Sequence, residues 1–179
     1  SWKGKSTICM AFGLKDAGKD EKIFAVDHHK GSKEHGNVYT YPEFRKNIRK
    51  FSVSKYVAPM LMKSETAARL WAKKKRPIRL LWIDGSHEYK DVKKDFLVWN
   101  PFVVEGGVIA FHDSLEGGPK IVVDKYIFGS DKFSGVRVVN SITYATKKNC
   151  SPFDKFRKST ARASKEAITV AWSVKKIFA

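Results

Sequence analysis

Three apolar runs in this chain each end in a carboxylate: Ile23-Phe24-Ala25-Val26-Asp27, Leu80-Leu81-Trp82-Ile83-Asp84 and Val108-Ile109-Ala110-Phe111-His112-Asp113. Short apolar runs bounded by turn residues read as strands of a covered sheet. In an open α/β sheet, ligands bind just outside the carboxyl ends of parallel strands. The acid-ended runs therefore define an architecture and the rim on which its chemistry would sit.

Helical patterns fill the spaces between them. Tyr89, Val92, Phe96 and Trp99 recur at spacings of three and four over residues 88–99, a core-facing stripe that Pro101 ends. Further helices are expected over residues 6–17, from Tyr41, over 64–74 and over 120–128, with Ser6 or Thr7 and Ser64 as N-caps. The alternation predicts an α/β fold with a mostly parallel sheet and helices on both faces, closed by a pair of strands over 136–145. Because residues 79–84 are continuously apolar, that strand is expected to be covered on both faces. Glu105-Gly106-Gly107 reads as a tight turn before the next strand.

A length of 179 residues with 42% hydrophobic content suits one domain with a real core. Residues 1–146 carry the alternating pattern, and 147–179 read as a basic helical extension anchored by Ile168, Trp172 and Val174. The net charge is +17, with eleven Lys and Arg between Pro42 and Arg76 against Glu43 and Glu65. Such an excess is either a solvated Lys-rich surface or an attraction for nucleic acid, acidic substrates or anionic lipid. Nucleic acid is kept as an alternative but not favoured, because aromatics do not interleave with the charges as a base-stacking platform requires. Two cysteines exclude a disulfide framework and point to a reducing cytoplasm. No run reaches the roughly 18 apolar residues of a membrane span. The chain starts at Ser1 in what reads as mid-motif, so an upstream segment is expected.

Several residue types suggest chemistry. Gly4-Lys5-Ser6-Thr7 enters a helix, whose amino end suits a phosphate or a carboxylate. Asp27 lies where open α/β folds use an acid to bind ribose hydroxyls, or else is a turn Asp. His28, His29 and His35 sit among Lys and Gly in what reads as a mobile loop. Asp84 and Asp113 are spaced by one crossover helix and so share a rim, where with His112 they could hold Mg²⁺, or serve as turn and cap residues. His87 follows Asp84 in a turn entering a helix. It is either a capping-turn residue or the proton acceptor of the rim.

The block Ile83-Asp84-Gly85-Ser86-His87-Glu88-Tyr89, with Asp95, Trp99, Pro101 and Gly106-Gly107-Val108-Ile109-Ala110-Phe111-His112-Asp113, resembles the second half of class I S-adenosylmethionine-dependent methyltransferases. It is most similar to small O-methyltransferases of the catechol O-methyltransferase type and their bacterial relatives, over about residues 1–145. The resemblance implies a Rossmann-like fold and methyl transfer to a hydroxyl of a small acceptor, a sugar or phenolic natural product. Gly4 and Ser6 would lie at the methionine part of the cofactor, Asp27 at its ribose and Lys63-Ser64-Glu65 beside its adenine, with Asp84 reaching the cofactor side as well. Asp84, His112 and Asp113 would bind a divalent cation, and His87 would deprotonate the acceptor. His87 stands where the family often has Lys, and His112 replaces a carboxylate, which leaves the cation requirement open. In this family the first strand lies mid-sheet and delivers the glycine loop. Here only Ser1 to Lys5 of that region is present, so the sheet is expected to lack its central strand and to bind the cofactor weakly. A homo-oligomer is one further expectation.

Overall fold

The computed structural model describes residues 1–31, 36 and 38–177. Its strands form two hydrogen-bonded sheets, and the chain divides into two compact units, Ser1–Lys73 and Lys74–Ala179.

The first unit contains α1 (Lys5–Asp16), β1 (Ile23–Val26), α2 (Tyr41–Lys50), β2 (Val57–Met60) and α3, which starts at Ser64 and ends at Lys74. Strands β1 and β2 pair in parallel, Ile23 opposite Val57 and Val26 opposite Met60. Ile8 and Ala11 of α1 and Phe44 and Ile48 of α2 close over Ala25, Val53 and Val57. Two cap assignments change. Gly4, at φ 96°, is the N-cap of α1, so Ser6 and Thr7 lie inside its first turn. That backbone region suits glycine because it has no Cβ. Ser64 likewise lies inside α3, and the Lys63 carbonyl accepts from Ala67 N–H.

The second unit contains β3 (Ile78–Ile83), α4 (Tyr89–Trp99), β4 (Val103–Phe111), α5 (Gly117–Val122) running into a π-helical turn Val123–Phe128, β5 (Phe133–Val139), β6 (Ile142–Lys147) and α6 (Pro152–Ile177). The sheet order is β3-β4-β6-β5; β3 and β4 are parallel, and β5 and β6 form the closing antiparallel pair. As the periodicity predicts, Val92, Phe96 and Trp99 of α4 are buried. Phe96 packs between the rings of Phe111, Tyr126 and Phe133.

Two strand expectations are corrected. Strand β3 is not covered on both faces: Leu80 is 47% exposed, so nothing among the described residues packs fully over its face. Glu105-Gly106-Gly107 is not a turn before a strand but an irregularity inside β4, where the register jumps from Ile78 opposite Val103 to Leu80 opposite Val108.

Helix α6 docks on the second unit through two buried cations; of the expected apolar anchors, the side chain of Val174 lies outside the described residues. Lys158 and Lys165 are buried, whereas Ile168 is half-buried and Trp172 is exposed. Lys158 Nζ donates to the carbonyls of Phe133, at 2.9 Å, and Ser130. Lys165 Nζ meets Asp124 Oδ1 at 2.6 Å, and Lys120 meets the other oxygen at 2.7 Å. Burial opposes charge on both Asp124 and Lys165. For Asp124 the hydrogen bonds from Lys120 and Lys165 win and hold its carboxyl below the usual range, while burial pulls Lys165 below its own. The 2.6 Å contact is that of an ion pair.

A carboxylate depressed in the folded state adds stability that is present above its unfolded pKa, about 3.9, and is lost as pH falls through the folded value. The thermal midpoint should therefore decline from about pH 5 downward. The Asp124→Asn variant should start lower at pH 6 and decline less over the same interval. Equal declines in both proteins would refute this role for Asp124.

Candidate active site

Four side chains meet where β3 and β4 end. Asp84 follows Ile83, and His112 and Asp113 follow Phe111; His112 N–H donates to the Ile83 carbonyl, continuing the parallel ladder one step past the strands. Asp113 has φ 48°, a left-handed conformation that Asp tolerates better than most residues. His87 Nε2 lies 3.2 Å from Asp113 Oδ2, and His112 Nδ1 lies 2.9 Å from the same oxygen. His112 Nδ1 is also 3.2 Å from Asp84 Oδ1, and Trp82 Nε1 donates to Asp84 Oδ2 at 3.2 Å. That nitrogen is buried and aligned as a hydrogen bond with neither acid, so it sits between the two carboxylates as a shared contact. The result is a chain, His87–Asp113–His112–Asp84–Trp82, in which one carboxylate oxygen serves two imidazoles.

The backbone under His87 is held from α5. Gly118 N–H donates to the His87 carbonyl at 2.7 Å. A Cβ on Gly118 would overlap Tyr89 N and come 2.5 Å from the His87 carbonyl oxygen. Gly117, at φ 59°, sits against the same carbonyl. These glycines, which read in the sequence only as a loop before a helix, are what lets α5 approach the His87 turn. Two adjacent glycines ahead of a helical segment were the available signal.

The first unit carries the other predicted residues. Asp27 follows β1, and its carboxylate accepts from Ser1 N at 2.7 Å, Trp2 N at 3.1 Å and His29 N at 2.7 Å. Burial raises its carboxyl, and the hydrogen bond from the His29 N–H opposes that rise. Beside it, at the carboxyl ends of β1 and β2, lies a cavity of about 440 Å³ lined by His28, Lys30, Tyr39, Leu61, Met62 and Lys63. Gly4 is buried against Phe44, and Ser6 is half-buried in the first turn of α1.

The three histidines do not form a cluster among the described residues. His28 is exposed and accepts from Lys30 N–H, and His35 lies outside the described residues. His29 is 2% exposed rather than part of a mobile loop, with Nδ1 3.0 Å from Thr40 Oγ1 and its ring against Tyr41 and Phe44. Burial lowers its pKa, and it is the backbone N–H of His29, not its ring, that donates to Asp27. Aromatic neighbours at 41 and 44, one helical turn apart, were the signal for that burial.

A model of the methyltransferase domain matches residues 1–114. The chain belongs to the methyltransferase-domain family. The matched part of this methyltransferase includes Asp27, Asp84, His87, His112 and Asp113, and ends just beyond the rim. Solved structures agree in fold. The O-methyltransferase NovP superposes with a TM-score of 0.64 at 18% identity, covering 83% of this chain and 69% of that one. CalS11, a TDP-rhamnose 3′-O-methyltransferase, gives 0.58 at 17% identity, covering 80% and 68%. A putative rRNA methylase from Clostridium thermocellum gives 0.58 at 14%, covering 82% and 84%.

For a divalent cation the donor set of this methyltransferase does not fit. Among the described residues no three His, Cys, Asp or Glu side chains are arranged to hold an ion. The carboxylates of Asp84 and Asp113 both face His112 Nδ1, at 3.2 and 2.9 Å, with a hydrogen bond aligned to neither. No helix among the described residues is long and apolar enough to cross a membrane.

Proposed function

We propose that this methyltransferase moves a methyl group from S-adenosylmethionine to a hydroxyl of a small acceptor, a sugar or phenolic natural product, with His87 as the general base. The observation that carries the reading is the His87–Asp113 contact on the β3–β4 rim. A His whose one nitrogen donates to a carboxylate is fixed in tautomer and orientation, and its basic lone pair is then on the other nitrogen. His112, whose Nδ1 lies between the carboxylates of Asp113 and Asp84, would keep the two acids beside each other. The acceptor proton passes to His87, and Asp113 stabilises the imidazolium that forms. That NovP and CalS11 act on oxygen supports this acceptor class.

The first unit offers the residues that would hold the cofactor. Asp27 would accept from its ribose hydroxyls, and Met62 and Lys63 would line the adenine side of the cavity, with Ser64 behind them. Gly4 and Ser6, at the amino end of α1, would face its methionine carboxylate. When bound, the cofactor supplies a sulfonium methyl that is already electrophilic, so the protein's tasks are alignment and proton removal. No step in this scheme requires Mg²⁺. Residues 1–146 are the catalytic part of this reading, and 147–179 an extension docked upon it.

The test is transfer of a labelled methyl group to a panel of sugar nucleotides and phenols, with structured RNA alongside and with EDTA present or absent. Small-acceptor turnover that survives EDTA is expected. Turnover on RNA alone would favour the nucleic-acid reading, to which the +17 charge and the rRNA-methylase fold likeness lend support. Loss of turnover on EDTA treatment, restored by Mg²⁺, would refute the metal-free scheme.

A further inference from the structure

Helix α6 is amphipathic in an unusual sense: its inner face carries the buried Lys158 and Lys165, and its outer face carries an uncharged stripe. Phe153, Phe156, Thr160, Ala163, Ala167 and Val170 are all exposed. Their spacings of three and four confine them to an arc of about 100° over about 26 Å of helix. Phe153, Phe156 and Val170 are 66%, 67% and 64% exposed. Bulky side chains occupy the two ends and small ones the middle.

We propose that this stripe pairs with the same stripe of a second copy of the chain, antiparallel about a two-fold axis between residues 161 and 162. In that register Phe153 lies opposite the partner's Val170, Phe156 opposite the partner's Ala167, and Thr160 opposite the partner's Ala163. Each phenyl ring then meets a smaller residue, so the stripe is its own steric complement, as a two-fold interface requires. A parallel pairing would set ring against ring at one end and leave a gap between alanines further along. One flank supplies charge complementarity as well. Glu166 falls within about two residues of the partner's Lys155, and the symmetry makes this contact twice. An anionic membrane fits less well, because the middle of the stripe offers only methyl groups and a hydroxyl for insertion.

Two consequences follow from the size and charge of the interface. A single helix pair lies at the low end of specific interfaces, so the dimer forms at micromolar concentrations or above. Each copy carries +17, so mutual repulsion opposes pairing and added salt strengthens it. Binding to nucleic acid or anionic lipid responds to salt in the opposite direction.

Sedimentation equilibrium between about 5 and about 200 µM tests this. The apparent mass should approach twice that of the chain, and do so at lower protein concentration in about 0.4 M than in about 0.05 M salt. Ala163→Arg and Phe156→Glu, both at exposed positions, should stay monomeric with unchanged helical circular dichroism. With Cys9 replaced by Ser, a mixture of Phe153→Cys and Val170→Cys chains should form a disulfide-linked dimer that neither forms alone. A monomer throughout, a dimer indifferent to Ala163→Arg, self-linking of Phe153→Cys, or capture of the stripe by anionic vesicles without self-association would each overturn the proposal.

Discussion

Replacing His87 by Ala lowers methyl-transfer turnover by about 10²–10⁴-fold, the usual contribution of a positioned general base, and leaves cofactor affinity unchanged. The split is expected because His87 lies on the β3–β4 rim with Asp113, whereas the candidate cofactor residues Asp27, Met62 and Lys63 lie at the ends of β1 and β2. Turnover with labelled cofactor and calorimetric titration of the same protein read the two quantities separately. Parallel loss of turnover and affinity would mean that the substitution disturbs the fold, not the proton transfer. A non-catalytic module that had kept the fold would show no turnover to lose.

Gly118→Ala should produce the second large effect, from a residue that carries no functional group. The added Cβ overlaps the backbone at Tyr89 and presses on the His87 carbonyl, which already accepts the Gly118 N–H. Either α5 or the His87 turn must move. Overpacking of this kind costs about 1–3 kcal/mol, and a displacement of a catalytic group by 1 Å can cost about 10²-fold in rate. Chemical denaturation and turnover measure the two costs. Gly13→Ala is the control: nothing lies within 4 Å of its Cβ, and it is inside α1. That change should stabilise the protein by about 0.5–1 kcal/mol and leave the rate intact. Equal behaviour of the two variants would remove the case for a glycine clamp under His87.

The parts of the fold that were legible in the sequence were those with a strong period or a strong terminator. The α4 stripe from Tyr89 to Trp99 fixes a helix face, and Asp84 and Asp113 mark strand ends, because local pattern determines both. What stayed hidden depends on partners distant in the chain. The exposure of Leu80 depends on what packs over that face of β3, which no window of sequence contains. The burial of Lys158 and Lys165 follows from carbonyls at Ser130 and Phe133 and from Asp124, so a basic helix concealed an inner face that is itself basic.

The candidate site divides in the same way. His87 and the two acids were visible as residue types at strand ends, and the contact of His87 with Asp113 depends on the turn that Gly117 and Gly118 hold from α5. Asp84, His112 and Asp113 were expected as a cation set from their strand-end positions and from the resemblance, and the placing of His112 Nδ1 between the two carboxylates depends on contacts that no window of sequence contains. His29 looked like a loop residue because its neighbours in sequence are polar. Its neighbours in space are Thr40, Tyr41 and Phe44.

Chemical rescue of His87→Ala by added imidazole during methyl transfer tests the role of His87 as general base most directly. Turnover lost in the variant should return in proportion to imidazole concentration, while cofactor affinity stays constant. Full turnover by His87→Ala without imidazole would contradict that role.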